Sequence, residues 1–312
     1  MMKSVIVIGA GQWGQNLIRQ FYQLDALAAI VELDPKQQER IKTLYPEIPC
    51  FSELESALES DVSAFVSATP APSHYQLARK ILATGRDCFV EKPMTLTLEE
   101  ARDLAGLADQ QQRILMVGHL LLYQPAITWM TDYINQGHLG KIYHVATIRN
   151  KLGKVRKEEN VWWSFAPHDV SVVLQLLGNP QLQSVSSQCQ AFLQPHIADN
   201  VHVNLNFEDG KTAHIHCCWY WPILERQTVV LGEKAMLVYN EIDKTVTVYQ
   251  KNIDSDLKNQ DQGSWQPVLA SVDPLQVECQ HFLDCLESRQ KPLSDGWNGV
   301  RVVEILAKAL EG

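Results

Sequence analysis

The sequence predicts an α/β protein, with a doubly wound parallel sheet first and then an α+β domain built on a large, mainly antiparallel sheet. Three observations predict this. A β-branched run at 4–8 breaks into glycines at 9, 11 and 14, then continues at 15–22 with apolar residues at helical spacing. Short apolar runs and helix-patterned segments alternate as far as Gly118, the order of parallel strands joined by crossover helices. Beyond Gly118 the runs lengthen and alternate in polarity, as strands with one face on a core do. A length of 312 residues suits two cores, placed at 1–119 and 120–312.

Bulk composition narrows the function. Apolar residues make up 46% and charged residues 20%, ordinary for a globular protein. A formal net charge of −9 leaves no basic excess to neutralise phosphates, which argues against a nucleic-acid or anionic-membrane partner. The seven cysteines show no metal spacing, and no metal site is expected. Their odd, scattered set reads as reduced thiols, and no leader or membrane-spanning run is evident, so a cytoplasmic location is expected.

The stretch 9–14 reads Gly-Ala-Gly-Gln-Trp-Gly between a strand and a helix. Gly9 permits the tight turn, Gly11 lets backbone approach a pyrophosphate, and Gly14 lets helix pack on strand. Free N–H groups at the helix start favour that anion. Gln12 and Trp13 lie inside the turn and are counted with the cofactor site. A second apolar run, 27–31, ends in Glu32, with Asp34 two residues on. An acid there serves the ribose hydroxyls and repels the extra phosphate of NADP, so NAD is favoured.

Further elements follow in order. A helix is expected at 35–44, a short strand at 50–51, and a helix at 52–58 with Ser52 and Glu55 as a capping box. A core strand at 64–68 runs into Thr69-Pro70-Ala-Pro-Ser-His74, a stiff loop at a strand end where ligands bind in such sheets. Ser73 is placed to cap the helix 74–84, and His74 either lines the cofactor site or simply occupies the first helical turn. The strand 88–90 ends in Glu91-Lys92-Pro93. A lysine directly after a buried strand suits proton transfer or orientation of a hydroxyl; a surface ion pair is the bland alternative. Thr97 caps a helix to 111, and a strand at 114–117 closes the sheet before Gly118 and His119.

The second domain opens with a helix at 125–137 and a strand at 141–150. A polar, basic loop at 151–160 carries Arg156, and residues 161–169 lead into an apolar helix ending near Gly178. Strands are expected at 183–191, 200–207, 212–219, 227–231, 235–239 and 245–249, a mobile loop at 252–263, and helices at 274–288 and 296–310. Trp219–Pro222 reads as packing of the core or of a subunit contact. An open apolar sheet face of this kind commonly takes a partner, so a homodimer or homotetramer is expected.

With the glycine turn, Thr69-Pro70 through His74, Glu91-Lys92-Pro93, Gly118 and His168 all in order, the chain resembles the glucose–fructose oxidoreductase, inositol dehydrogenase and MocA family over most of its length. The resemblance implies a Rossmann domain holding NAD or NADP, and hydride transfer to or from a carbon of a sugar, cyclitol or nucleotide sugar. It implies that Lys92 assists proton transfer and that His168 is its acid/base partner. Many members carry Asp four residues before that histidine; Ser164 stands there, and a hydroxyl orients an imidazole only weakly. The position two before Pro125, often Arg in the family, is Tyr123. The run 151–169 looks more like members acting on nucleotide-linked amino sugars or sugar acids. Tyr123, Arg149, Arg156, Asn160, Trp163 and His168, with Lys92, form the expected substrate set; Trp162 and Trp163 serve either packing or a sugar face. Three readings stand: dehydrogenation of a sugar or nucleotide-sugar hydroxyl, reduction of a ketone or imine by the same groups, and an NAD-bound sensor without turnover.

Overall fold

The computed structural model describes residues 4–311. The chain divides into two compact units, Met1–Leu120 with Asp273–Glu304 and Leu121–Val272 with Ile305–Gly312. Residues 1–3 and 312, which the expected domain ranges include, lie outside the described residues.

The first unit alternates β1 (Val5–Ile8), α1 (Gly14–Gln23), β2 (Leu27–Val31), α2 (Pro35–Leu44), β3 (Cys50–Phe51), α3 (Leu54–Leu58), β4 (Ala64–Ser67), α4 (His74–Ala83), β5 (Asp87–Glu91), α5 (Leu98–Gln111) and β6 (Leu115–Gly118). Its six strands pair in the order β3-β2-β1-β4-β5-β6, all parallel. β1, β4, β5 and β6 are buried throughout, which is why they read as continuous apolar runs. The order reverses between β1 and β4, and ligands of such sheets bind in the crevice beyond the strand ends at that point.

Local chemistry sets several ends. Asp34 caps α2, accepting from the Lys36 N–H, with Pro35 in the first turn; Thr97 caps α5, accepting from the Glu100 N–H. Two expected caps do not form. α3 begins at Leu54, and Glu55 pairs with Lys80 instead of closing a capping box with Ser52. Ser73 gives its hydroxyl to Thr69 Oγ1 and the Pro70 carbonyl, because residues 71–73 already turn as a 3₁₀ segment before α4.

The second unit holds α6 (Pro125–Asn135), β7 (Ile142–Leu152), α7 (Val161–Leu177), β8 (Leu182–Gln190), β9 (Asn200–Phe207), β10 (Thr212–Cys218), β11 (Tyr220–Gly232), β12 (Met236–Asn240), β13 (Thr245–Ile253) and β14 (Asn259–Trp265). These eight strands order as β14-β13-β12-β11-β7-β10-β9-β8, antiparallel except for β7 beside β10. On β7, Val145, Thr147 and Arg149 are buried on the side covered by α7, while Ala146 and Ile148 are half-exposed on the other. Residues 252–263, expected as a loop, are largely strand: β13 runs on to Ile253 and pairs with β14 as an exposed polar hairpin. Main-chain pairing there overrides a composition that carries no strand signal.

α8 (Pro274–Ser288) and α9 (Gly296–Lys308) close the chain. Residues 273–304 pack with the first unit, not with the second as the split at 119/120 has it. The ring of Phe282 lies edge-on to Phe89 at 5.5 Å, and Arg289 forks onto Asp87 at 2.7 and 2.9 Å. Neither partner is close in sequence, so local pattern could not assign these helices. Among the described residues no helix is long and apolar enough to cross a membrane.

Candidate functional site

In the first unit the site is framed by the turn after β1. Gly9 has φ +91°, and its N–H donates to the Val31 carbonyl at 2.8 Å. A Cβ on Gly14 would stand 2.0 Å from the Gly9 carbonyl oxygen, so only glycine lets α1 start this close to the strand. A Cβ on Gly11 would meet nothing within 4 Å. Packing thus demands Gly9 and Gly14, whereas Gly11 borders open space of the kind a pyrophosphate needs. Gln12 and Trp13 are exposed in the same turn.

Glu32, at the end of β2, accepts from the Ala10 N–H at 2.6 Å and the Asp34 N–H at 2.9 Å. Its carboxylate is fixed beside the glycine turn, where ribose hydroxyls are read. Asp34 is occupied as the α2 cap and is exposed. Beside Leu33 an open cavity of about 570 Å³ has a mixed lining, apolar at Leu33, Leu54 and Leu77 and charged at Glu53, Arg79 and Lys80. The glycine turn and Glu32 fit NAD.

Thr69 lies against the turn, its Cγ2 3.1 Å from where a Gly9 Cβ would be, and Pro70 follows in extended conformation. His74 is buried with Nε2 2.8 Å from the Thr69 carbonyl and Nδ1 2.8 Å from the Pro93 carbonyl. Both nitrogens face main chain, so His74 ties the loop after β4 to the Glu-Lys-Pro turn. Burial lowers its pKa despite the two carbonyls.

Glu91 ends β5, buried, and takes hydrogen bonds from Trp13 Nε1 and from the Lys92 N–H at 3.1 Å. This joins the Lys92 turn to the glycine turn through Trp13. A Cβ at Gly118 would press within 2.9 Å of that carboxyl group. Burial raises the Glu91 pKa to about 6, against the opposing pull of Trp13 and Lys92. Glu278 on α8 is fully buried, neither carboxyl oxygen has a partner among the described residues, and burial followed by the charge of Glu91 pushes its pKa well up. His119 is buried and, among the described residues, neither ring nitrogen has a partner; burial and the charge of Lys92 drive its pKa down to about 3. The sequence gives no local signal for Glu278, which lies on a helix far along the chain.

In the second unit, Asn160 caps α7, its Oδ1 accepting from the Trp163 N–H at 3.0 Å. Trp162 is core, with Nε1 donating to the Leu306 carbonyl at 3.1 Å, while Trp163 is half-buried on the first turn. Pro167 sits inside the helix, and His168 follows, half-buried. Arg149, expected among the substrate contacts, is instead committed to carboxylates. Its Nε donates to Asp169 at 2.6 Å, and Nη1 and Nη2 donate to Glu241 at 3.3 and 2.8 Å. Burial opposes the Arg149 charge, but Asp169 and Glu241 outweigh it and raise its pKa. Glu241 also accepts from Arg226 at 2.7 Å. Asp169 therefore points at the sheet, not at its neighbour His168. Arg156 is exposed and pairs with Glu159 at 3.4 Å, and Tyr123 is buried in the turn before α6.

Two family models match: the oxidoreductase family with NAD-binding Rossmann fold at residues 3–119, and the GFO/IDH/MocA C-terminal domain at 127–238. The chain belongs to the Gfo/Idh/MocA oxidoreductase family. It is 24% identical over 308 residues to a UDP-N-acetylglucosamine 3-dehydrogenase of Acidithiobacillus ferrooxidans, covering 98% of this chain and 94% of that protein. A solved structure of that enzyme superposes with TM-score 0.88 at 22% identity, over 98% and 96% of the two chains. A levoglucosan dehydrogenase in complex with NADH and levoglucosan gives TM-score 0.86 at 16% identity, over 99% and 96%. As a family member the chain is an NAD-dependent oxidoreductase.

Proposed function

We propose that the protein oxidises a hydroxyl-bearing carbon of a sugar or nucleotide sugar, with UDP-linked amino sugars and uronates the first substrates to try. The observation that carries this reading is the Trp13–Glu91 hydrogen bond, which fixes the Lys92 turn against the glycine turn. A lysine on a turn so tethered suits the reacting end of the cofactor, where a substrate hydroxyl must lose its proton as hydride leaves. Bound NAD supplies the hydride acceptor. Lys92 takes the hydroxyl proton, and Glu91 orients its turn from beneath. His168, on α7, is the second unit's own acid/base candidate, and the proteins similar over their whole length include a UDP-N-acetylglucosamine 3-dehydrogenase. With Ser164 in place of an aspartate, His168 works without a carboxylate one turn before it on α7. Reduction of a ketone uses the same groups in reverse.

The test is Lys92→Ala assayed with NAD and UDP-N-acetylglucosamine: turnover falls at least roughly a thousandfold while NADH binding is unchanged. Full activity in that variant overturns the assignment. We further propose that a second copy covers the half-exposed sheet face carrying Ala146, Ile148, Val229 and Val238. Light scattering then reads a dimer or tetramer at micromolar concentration, and a monomer refutes it.

A further inference from the structure

The second unit holds a lysine, Lys151, beside a cluster of guanidinium–carboxylate pairs in which it takes no part. The charges of Arg226, Arg149 and Arg156 all act on Lys151. The carboxylates paired in this cluster are held by guanidinium groups: Asp169 by Arg149, Glu241 by Arg149 and Arg226, and Glu159 by Arg156. Lys151, near the end of β7, is left over. Among the described residues its ammonium forms no ion pair; its contact is the ring of Phe165, whose centroid lies 5.3 Å from Nζ. Phe165 and His168 are three apart on α7 and so are neighbours on the helix surface. The start of α7 adds its own positive end to the same region.

Such an arrangement is unfavourable with nothing bound. Lys151 is only half-exposed, and burial, followed by Arg226, Arg149 and Arg156, lowers its pKa. An anionic oxygen group beside it would offset these penalties by charge attraction and hydrogen bonding.

We propose that Lys151 is a specificity-determining residue that receives an anionic group of the substrate, a phosphate or a carboxylate, one helical turn from His168. This rests on the reading of the His168 helix as part of the substrate site. It makes the substrate a charged sugar, either a nucleotide sugar through its pyrophosphate or a sugar acid through its carboxylate, and disfavours plain cyclitols and free hexoses. A lysine suits the role better than an arginine here because its flexible stem folds over Phe165 and its point charge accepts either anion.

The experiment is calorimetric titration of NADH-saturated protein with UDP, D-glucuronate and D-glucose, for the natural chain and for Lys151→Met, Lys151→Gln and Lys151→Arg. The natural chain binds UDP or D-glucuronate in preference to glucose, more weakly as salt is raised; UDP alone identifies the pyrophosphate as the source and glucuronate alone the carboxylate. Lys151→Met and Lys151→Gln lose that binding by roughly tenfold or more, as expected for a charge-assisted contact, and Lys151→Arg retains most of it. NADH affinity stays the same in all three, and Tm does not fall in Lys151→Met or Lys151→Gln. Anion binding unmoved by Lys151→Met and Lys151→Gln, or no anion binding by the natural chain, overturns the inference. Turnover surviving Lys92→Ala would overturn the proton-transfer assignment and leave this titration untouched, so the two fail separately.

Discussion

The candidate site of the first unit is shaped mainly by main chain, whereas that of the second is held by long side chains reaching across the sheet. Around the glycine turn, the decisive contacts are a glycine carbonyl, the Ala10 N–H on Glu32, and two carbonyls on His74. Around α7 they are the ion pairs of Arg149 with Asp169 and Glu241, the latter 92 residues away in sequence. Main-chain geometry tolerates almost no substitution but demands little elsewhere. A buried ion network tolerates replacement as a set and is costly to break in part.

Breaking the network in part is the largest test of that contrast. Arg149→Met strips Asp169 of its partner inside the unit and should cost about 3–5 kcal/mol of stability. Denaturant unfolding measures it, and adding Asp169→Leu should recover much of the loss. If the single variant is as stable as the natural chain, the network does not hold α7. Next comes the glycine turn. Gly14→Ala puts a Cβ against the Gly9 carbonyl and should cost about 3 kcal/mol together with NAD binding. Gly11→Ala, facing open space, should leave Tm alone and weaken only NADH binding in a fluorescence titration; equal behaviour of the two glycines would refute the distinction.

The third test is pH. Because the folded-state pKa of Glu91 is raised from 4.5 to about 6, the folded protein keeps a proton that the unfolded chain has already released in that window. Stability contributed by this group is therefore fully present below about pH 4.5 and lost as pH rises through 6, an effect of about 2 kcal/mol. Glu278, also held protonated by burial, adds a slope of the same sign. Glu91→Gln should flatten the difference in unfolding free energy between pH 4.5 and 6.5; an unchanged slope would show that Glu91 titrates normally. Smallest is Glu32→Ala, which should narrow the preference for NAD over NADP by roughly tenfold, read as the ratio of the two dissociation constants. A ratio that does not move would take the ribose role away from Glu32.

Much of the first unit was legible. Strand, glycine turn and helix are consecutive in sequence, and so are the buried strand and the lysine that follows it, so pattern alone located Gly9, Glu32 and Lys92. The tie between Trp13 and Glu91 was not legible, being a contact across 78 residues. His74 shows the limit from the other side. Its place in the chain was compatible with either cofactor contact or a helical turn, and its two carbonyl partners decided for a tie between loops. In the second unit the helix and strands were legible as elements, but Arg149 read as a substrate contact because its partner Glu241 is 92 residues away in sequence.

By itself the sequence determined the αβ alternation, the glycine turn, the acid that favours NAD and the lysine after the fifth strand, because each depends on residues within a few positions of one another. Only the tertiary structure decided that 273–304 pack with the first unit, that Asp169 faces Arg149 and not His168, and that Lys151 takes no part in the guanidinium–carboxylate pairs beside it. Those outcomes depend on which side chains the folded sheets and helices bring within a few ångströms, and charge pairing between distant segments leaves no periodic trace in the chain.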